Sequence, residues 1–120
     1  MTITSPLLGR SLDEHELRGQ FDSAQPFRHI ASDDFLEESF AKEVLAALPG
    51  FERAKEVGRE FRAVNERGKV QVTDRSHFPE PVRELNDLMA SPELLECFAH
   101  ITGIGNLIPD DELVGGGLHV

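Results

Sequence analysis

Leu36, Phe40, Val44, Leu45 and Leu48 recur at helical spacing with Glu37, Glu38, Lys42 and Glu43 opposite them, a period that predicts an amphipathic helix over residues 36–48. Asp34 and Glu37 are its candidate N-terminal caps, and Pro49-Gly50 is its stop. A second stripe, Val82, Leu85, Leu88 and Met89, follows Pro79 and Pro81 and predicts a helix ending near residue 89. Another helix starts at once. Ser91 is placed to cap it with Pro92 at the first helical position, Leu94, Leu95, Phe98 and Ile101 form its apolar face, and Gly103 ends it. Nearer the start, Ser11-Leu12-Asp13-Glu14 has the Ser-x-x-Glu form in which serine and glutamate reciprocally satisfy backbone amides. It predicts a short helix over residues 11–22 with Leu17 and Phe21 inward.

Strand signals are shorter. Pro26 imposes an extended backbone, so residues 27–32 read as a strand with Ile30 inward, ended by a turn at Asp33-Asp34. In residues 60–74 the alternation Val70-Gln71-Val72 and a turn at Arg67-Gly68 favour a hairpin, while residues 66–69 read equally as a loop. Residues 106–111 read as loop and Leu113 onward as strand. Residues 1–10, small, polar and interrupted by Pro6 and Gly9, read as a flexible leader ahead of a folded unit over residues 11–120. Helices dominate and strands sit mostly at the edges, which is an α+β pattern.

The segment Gly115-Gly116-Gly117-Leu118-His119-Val120 reads either as the start of a strand or as a glycine-rich tail. Its company favours the strand. Residues 91–120 run SPELLECFAHITGIGNLIPDDELVGGGLHV, and the order and spacing of its blocks resemble the prolyl-4-hydroxylase-like iron(II)/2-oxoglutarate oxygenases, in which stretches of the form SPEFL, LTGI, LLPDP and GGGLH precede the first metal ligands. Pro26-Phe27-Arg28-His29-Ile30, Asp33-Asp34-Phe35-Leu36 and Asn65-Glu66 extend the likeness back to about residue 21. Asp111 stands where the family pattern often has proline.

The resemblance implies the helices and first strands of a double-stranded β-helix, a jelly roll left incomplete in this chain. It also implies iron(II) and 2-oxoglutarate as cofactors of the complete enzyme, and an amino-acid, peptide or protein substrate. In the family a His-x-Asp pair shortly after the glycine-rich segment and a more distant histidine hold the iron, and a later Arg or Lys grips 2-oxoglutarate. Those positions would follow Val120, so the expectation is an N-terminal portion that binds neither cofactor and is inactive alone. No residue of this chain is then assigned to catalysis, cofactor binding or metal. His119, in the strand leading toward the ligands, is the one candidate for a pocket-lining role.

Charge and composition narrow the alternatives. Twelve Lys and Arg face 22 Asp and Glu, a net charge of −10, and Arg59, Arg62, Arg67 and Lys69 are interleaved with Glu56, Glu60 and Glu66. Nucleic acid is therefore not an expected partner. Nor is a membrane, since no apolar run of roughly 18 residues occurs. Cys97 is the only cysteine, which excludes an internal disulfide and fits the cytoplasm. On its apolar helix it reads as a small buried hydrophobe.

His15, His29, His77 and His100 have no i, i+4 or His-x-Asp spacing that would pair two metal ligands, so structural or solvated roles are expected. Asp33-Asp34 and Asp110-Asp111 are adjacent pairs in turn contexts and read as turn formers rather than acid and base. The competing function is a small acidic, non-catalytic interaction module. If the strands that would cover them are missing, as the oxygenase resemblance implies, exposed apolar faces could drive self-association.

Overall fold

The computed structural model of the chain describes residues 1–63 and 66–120. It shows an α+β arrangement: among the described residues, five helices and two small antiparallel sheets, neither closed nor curled. The jelly roll implied by the resemblance is not displayed by these strands.

The first sheet is a short ribbon of β1 (Thr2–Ile3) and β2 (Leu12–Asp13). It sets where α1 (Glu14–Ser23) begins. Leu12 is buried and Asp13 lies opposite Thr2, so the residues expected to wind into a first turn are held extended. Asp13 replaces Ser11 as the cap, its Oδ1 accepting from the amides of His15 at 3.0 Å and Glu16 at 3.2 Å. Residues 1–10, expected as a flexible leader, are packed against the rest: Leu8 is buried and bridges to Leu36, and the Gly9 amide donates to the Phe35 carbonyl at 3.0 Å.

The strand expected over residues 27–32 does not form. Among the described residues no partner strand runs beside it; Phe27 is exposed, and Ile30 and Ser32 are no more than half-buried. The turn at Asp33-Asp34 is present, with Asp34 at φ 55. Helix α2 (Glu38–Ala47) is capped by Glu37, whose carboxylate accepts from the amides of Ser39 and Phe40, both at 2.9 Å. Phe40 and Val44 face inward, while Leu45 and Leu48 do not. Pro49-Gly50 ends it, yet Gly50 also starts α3 (Phe51–Val57), a helix the hydrophobic pattern did not announce.

Strands β3 (Arg59–Ala63) and β4 (Glu66–Val72) form the expected hairpin, paired from Arg59↔Gln71 to Ala63↔Glu66. Arg67 and Gly68 lie inside β4 rather than at the turn. The register shifts between Phe61 and Ala63, and Gly68 at φ 70 lies on the strand that carries the extra residue, a position suited to a residue without Cβ. A single 3-10 turn (Arg75–His77) leads to α4 (Glu80–Met89) and α5 (Pro92–Thr102). Ser91 caps α5 through Oγ, and Gly103 closes it in the left-handed conformation, as expected. Strand β5 (Leu118–His119) completes a three-stranded sheet in the order β3-β4-β5.

Two apolar clusters hold this together. Val70 and Val72, on the inner face of the sheet, pack with Phe40, Val44, Ala54, Phe78 and Val82. Leu94, Cys97 and Ile101 of α5 pack with Leu8 and Leu12, and Leu17 and Phe21 of α1 lie against them. Leu85 joins the first cluster and Leu88 the second, so α4 links both. The Cα radius of gyration is 16.4 Å, larger than the roughly 13.6 Å expected for a compact domain of this length.

Candidate functional site

The glycine-rich segment ends on the sheet. Leu118 lies opposite Val72 and His119 opposite Gln71, and the ladder continues with Val70 and Val120 exchanging amide bonds of 2.8 and 2.9 Å. At Gly117, φ is 113 and an added Cβ would stand 2.5 Å from the Val72 carbonyl oxygen, so this close passage requires glycine. The strand begins later than Leu113. Leu113 has φ 51, its amide donates to the Asp110 carbonyl at 3.1 Å, and the Gly115 amide donates to Asp110 Oδ2 at 3.1 Å. These turn bonds hold residues 110–116 off the extended path, and they give Asp110 the turn-forming role expected of it. Gln71 Nε2 then donates to the Gly116 carbonyl at 2.9 Å, fixing the last approach to β5.

Alternation follows from this pairing. Leu118 packs into the first cluster, and His119 is exposed on the outer face beside Gln71. Arg59 lies opposite Gln71 on the other side, and Phe61 opposite Lys69. The outer face therefore presents Arg59, Phe61, Lys69, Gln71 and His119. The Arg59 guanidinium carbon is 5.2 Å and the Lys69 ammonium 5.1 Å from the centre of the Phe61 ring. Glu60, beside Val70 on the opposite face, pairs with Arg62 at 3.2 Å. Along the chain these charges interleave; the strand period of two separates them by face.

A groove of about 340 Å³ opens between the end of α4, the start of α5 and the loop before β5, with Arg75, Asp87, Met89, Leu95, Ile108 and Asp110 on its walls. Arg75 grips Asp87 through two bonds, at 2.8 and 2.5 Å. That hydrogen bonding holds the Asp87 carboxyl below the ordinary carboxylate range and pushes the Arg75 guanidinium up. The pair ties the 3-10 turn to α4.

The other candidates lie apart. His15, His29, His77 and His100 are exposed on four different elements; the His29 ring meets the Phe27 carbonyl at 2.8 Å and His77 lies 3.8 Å from Asp74. Among the described residues no group of three His, Cys, Asp or Glu side chains is placed to hold a metal ion. Cys97 is fully buried, and burial pushes its thiol up. No helix among the described residues is long and apolar enough to cross a membrane. Comparison of the chain with protein-family models, curated proteins and solved structures finds no match.

Proposed function

We propose that this chain is the N-terminal portion of a cytoplasmic iron(II)/2-oxoglutarate-dependent dioxygenase of the prolyl-4-hydroxylase-like class. The complete enzyme would couple oxidative decarboxylation of 2-oxoglutarate to hydroxylation of an amino-acid, peptide or protein residue. The observation that carries the reading is the segment Gly115-Gly116-Gly117-Leu118-His119 on the sheet. It runs antiparallel to β4, and among the described residues β5 pairs with no other strand. That open edge is where further strands of a double-stranded β-helix would add. The large radius of gyration agrees with a layer awaiting cover.

The residues described here do not fit the iron, because their His, Asp and Glu side chains are not gathered into a ligand set. In the family resembled, the iron and 2-oxoglutarate ligands follow the glycine-rich segment. This chain's role would be to buttress the sheet with α2, α3 and α4. The reading frame following the Val120 codon tests the proposal: a continuation with His-x-Asp and a distal histidine supports it, and a continuation without them contradicts it.

Exposed Leu45, Ile108 and Val114, at 71%, 83% and 78%, favour a second reading as a non-catalytic interaction module. Sedimentation across a concentration series tests it: a monomer with a cooperative melt supports the module, and self-association supports the N-terminal portion of an oxygenase.

A further inference from the structure

We propose that the outer face of β3-β4-β5 is a docking surface for an extended, acidic peptide segment. Phe61 belongs to neither apolar cluster, yet it is half-buried, sheltered between Arg59 and Lys69, whose charges lie 5.2 and 5.1 Å from the ring centre. Among the described residues Arg18, Arg28, Lys42, Arg53, Lys55, Arg62 and Arg75 each have a carboxylate within 4.0 Å, whereas Arg59 and Lys69, like Arg10, Arg67 and Arg83, do not. In a chain of net charge −10, Arg59 and Lys69 are set apart from the other unpaired cations by sharing one ring, Phe61. The ring restrains both, which lowers the entropy lost when they meet a partner.

Shape and spacing select the occupant. The face is a flat sheet rather than a cavity, which suits an extended segment more than a small molecule. Two cations bracketing one ring at these distances lie no more than about 10 Å apart, and like-facing side chains of an extended peptide recur every ~6.7 Å. Carboxylates at alternate positions can then reach Arg59 and Lys69 while their stems cover Phe61, with Gln71 and His119 continuing the polar row. A long polyphosphate would be repelled by the remaining acidic surface, whereas two or three carboxylates match the patch.

The test uses a fluorescein-labelled peptide with glutamate at alternate positions, read by anisotropy on the full chain. Binding should weaken about tenfold in Lys69→Gln and further in Arg59→Glu, fall with added salt, and be unchanged in Arg18→Glu, which lies on α1. Circular dichroism of each variant monitors folding. Equal binding by all variants, equal binding of the same peptide with lysine, or tighter binding of a single-stranded oligonucleotide would overturn the proposal. So would self-association abolished by Lys69→Gln, which would give the face to a second copy.

Discussion

Gly117 meets Val72 so closely that a single methyl group at Gly117 would press on the Val72 carbonyl, 2.5 Å away. This contact joins β5 to the sheet, and it explains one glycine of the triplet. Gly115 has open space around the position of a Cβ, and Gly116 has only an ordinary contact with Leu113.

Gly117→Ala should therefore detach β5, while Gly115→Ala should not. The clash and the positive φ together are expected to cost about 1–3 kcal/mol. Urea denaturation gives the stability difference, and amide exchange at Leu118 and Val120 reports the strand itself. Unchanged protection in Gly117→Ala would show that β5 is held some other way.

Acid should weaken the helix starts. Backbone amides of Ser39 and Phe40 bind the Glu37 carboxylate and hold its pKa below the ordinary range, as the Glu16 amide does for Asp13 and the Ser76 hydroxyl for Asp74. A depressed folded-state pKa means stability is present above the ordinary carboxylate value and is lost as pH falls through the folded value. Melting temperature should thus decline below about pH 4. Glu37→Gln should lower it at pH 7 and flatten the decline, and parallel curves for the two proteins would contradict that cap.

Cys97 reports on the second cluster. It is fully buried and its thiol is pushed up by burial, so a maleimide should label native protein slowly and denatured protein at once. Leu94, also in that cluster and 1% exposed, is the lever: Leu94→Ala should cost about 2–5 kcal/mol and speed labelling. Rapid labelling of the unaltered native chain would mean that α5 does not seal this site.

The helices with strong local punctuation were readable from sequence. Ser91-Pro92 and Gly103 bound α5 as expected, and Val70-Gln71-Val72 gave the hairpin's inner face because burial follows the period of two. The failures share a cause, which is that tertiary pairing decides. Asp13 displaces Ser11 as a cap because β2 pairs with β1, and residues 27–32 stay irregular because no described strand lies beside them. Phe51–Val57 was hidden since Gly50 punctuates both the end of one helix and the start of the next, with no side-chain cap to mark it. Of the site, the glycine-rich strand was legible, although its turn-bound approach was not. The Arg59-Phe61-Lys69 face was missed because charges were counted along the chain rather than by face.

As proposed, this chain would support an iron(II)/2-oxoglutarate site without supplying its ligands. Anaerobic titration with iron(II) and 2-oxoglutarate, followed by visible absorption, tests this on residues 1–120 and on the product extended through the frame after Val120. A weak charge-transfer band is expected with the extended product and none with residues 1–120 alone. A band from residues 1–120, or its absence from the extended product, would contradict the proposal.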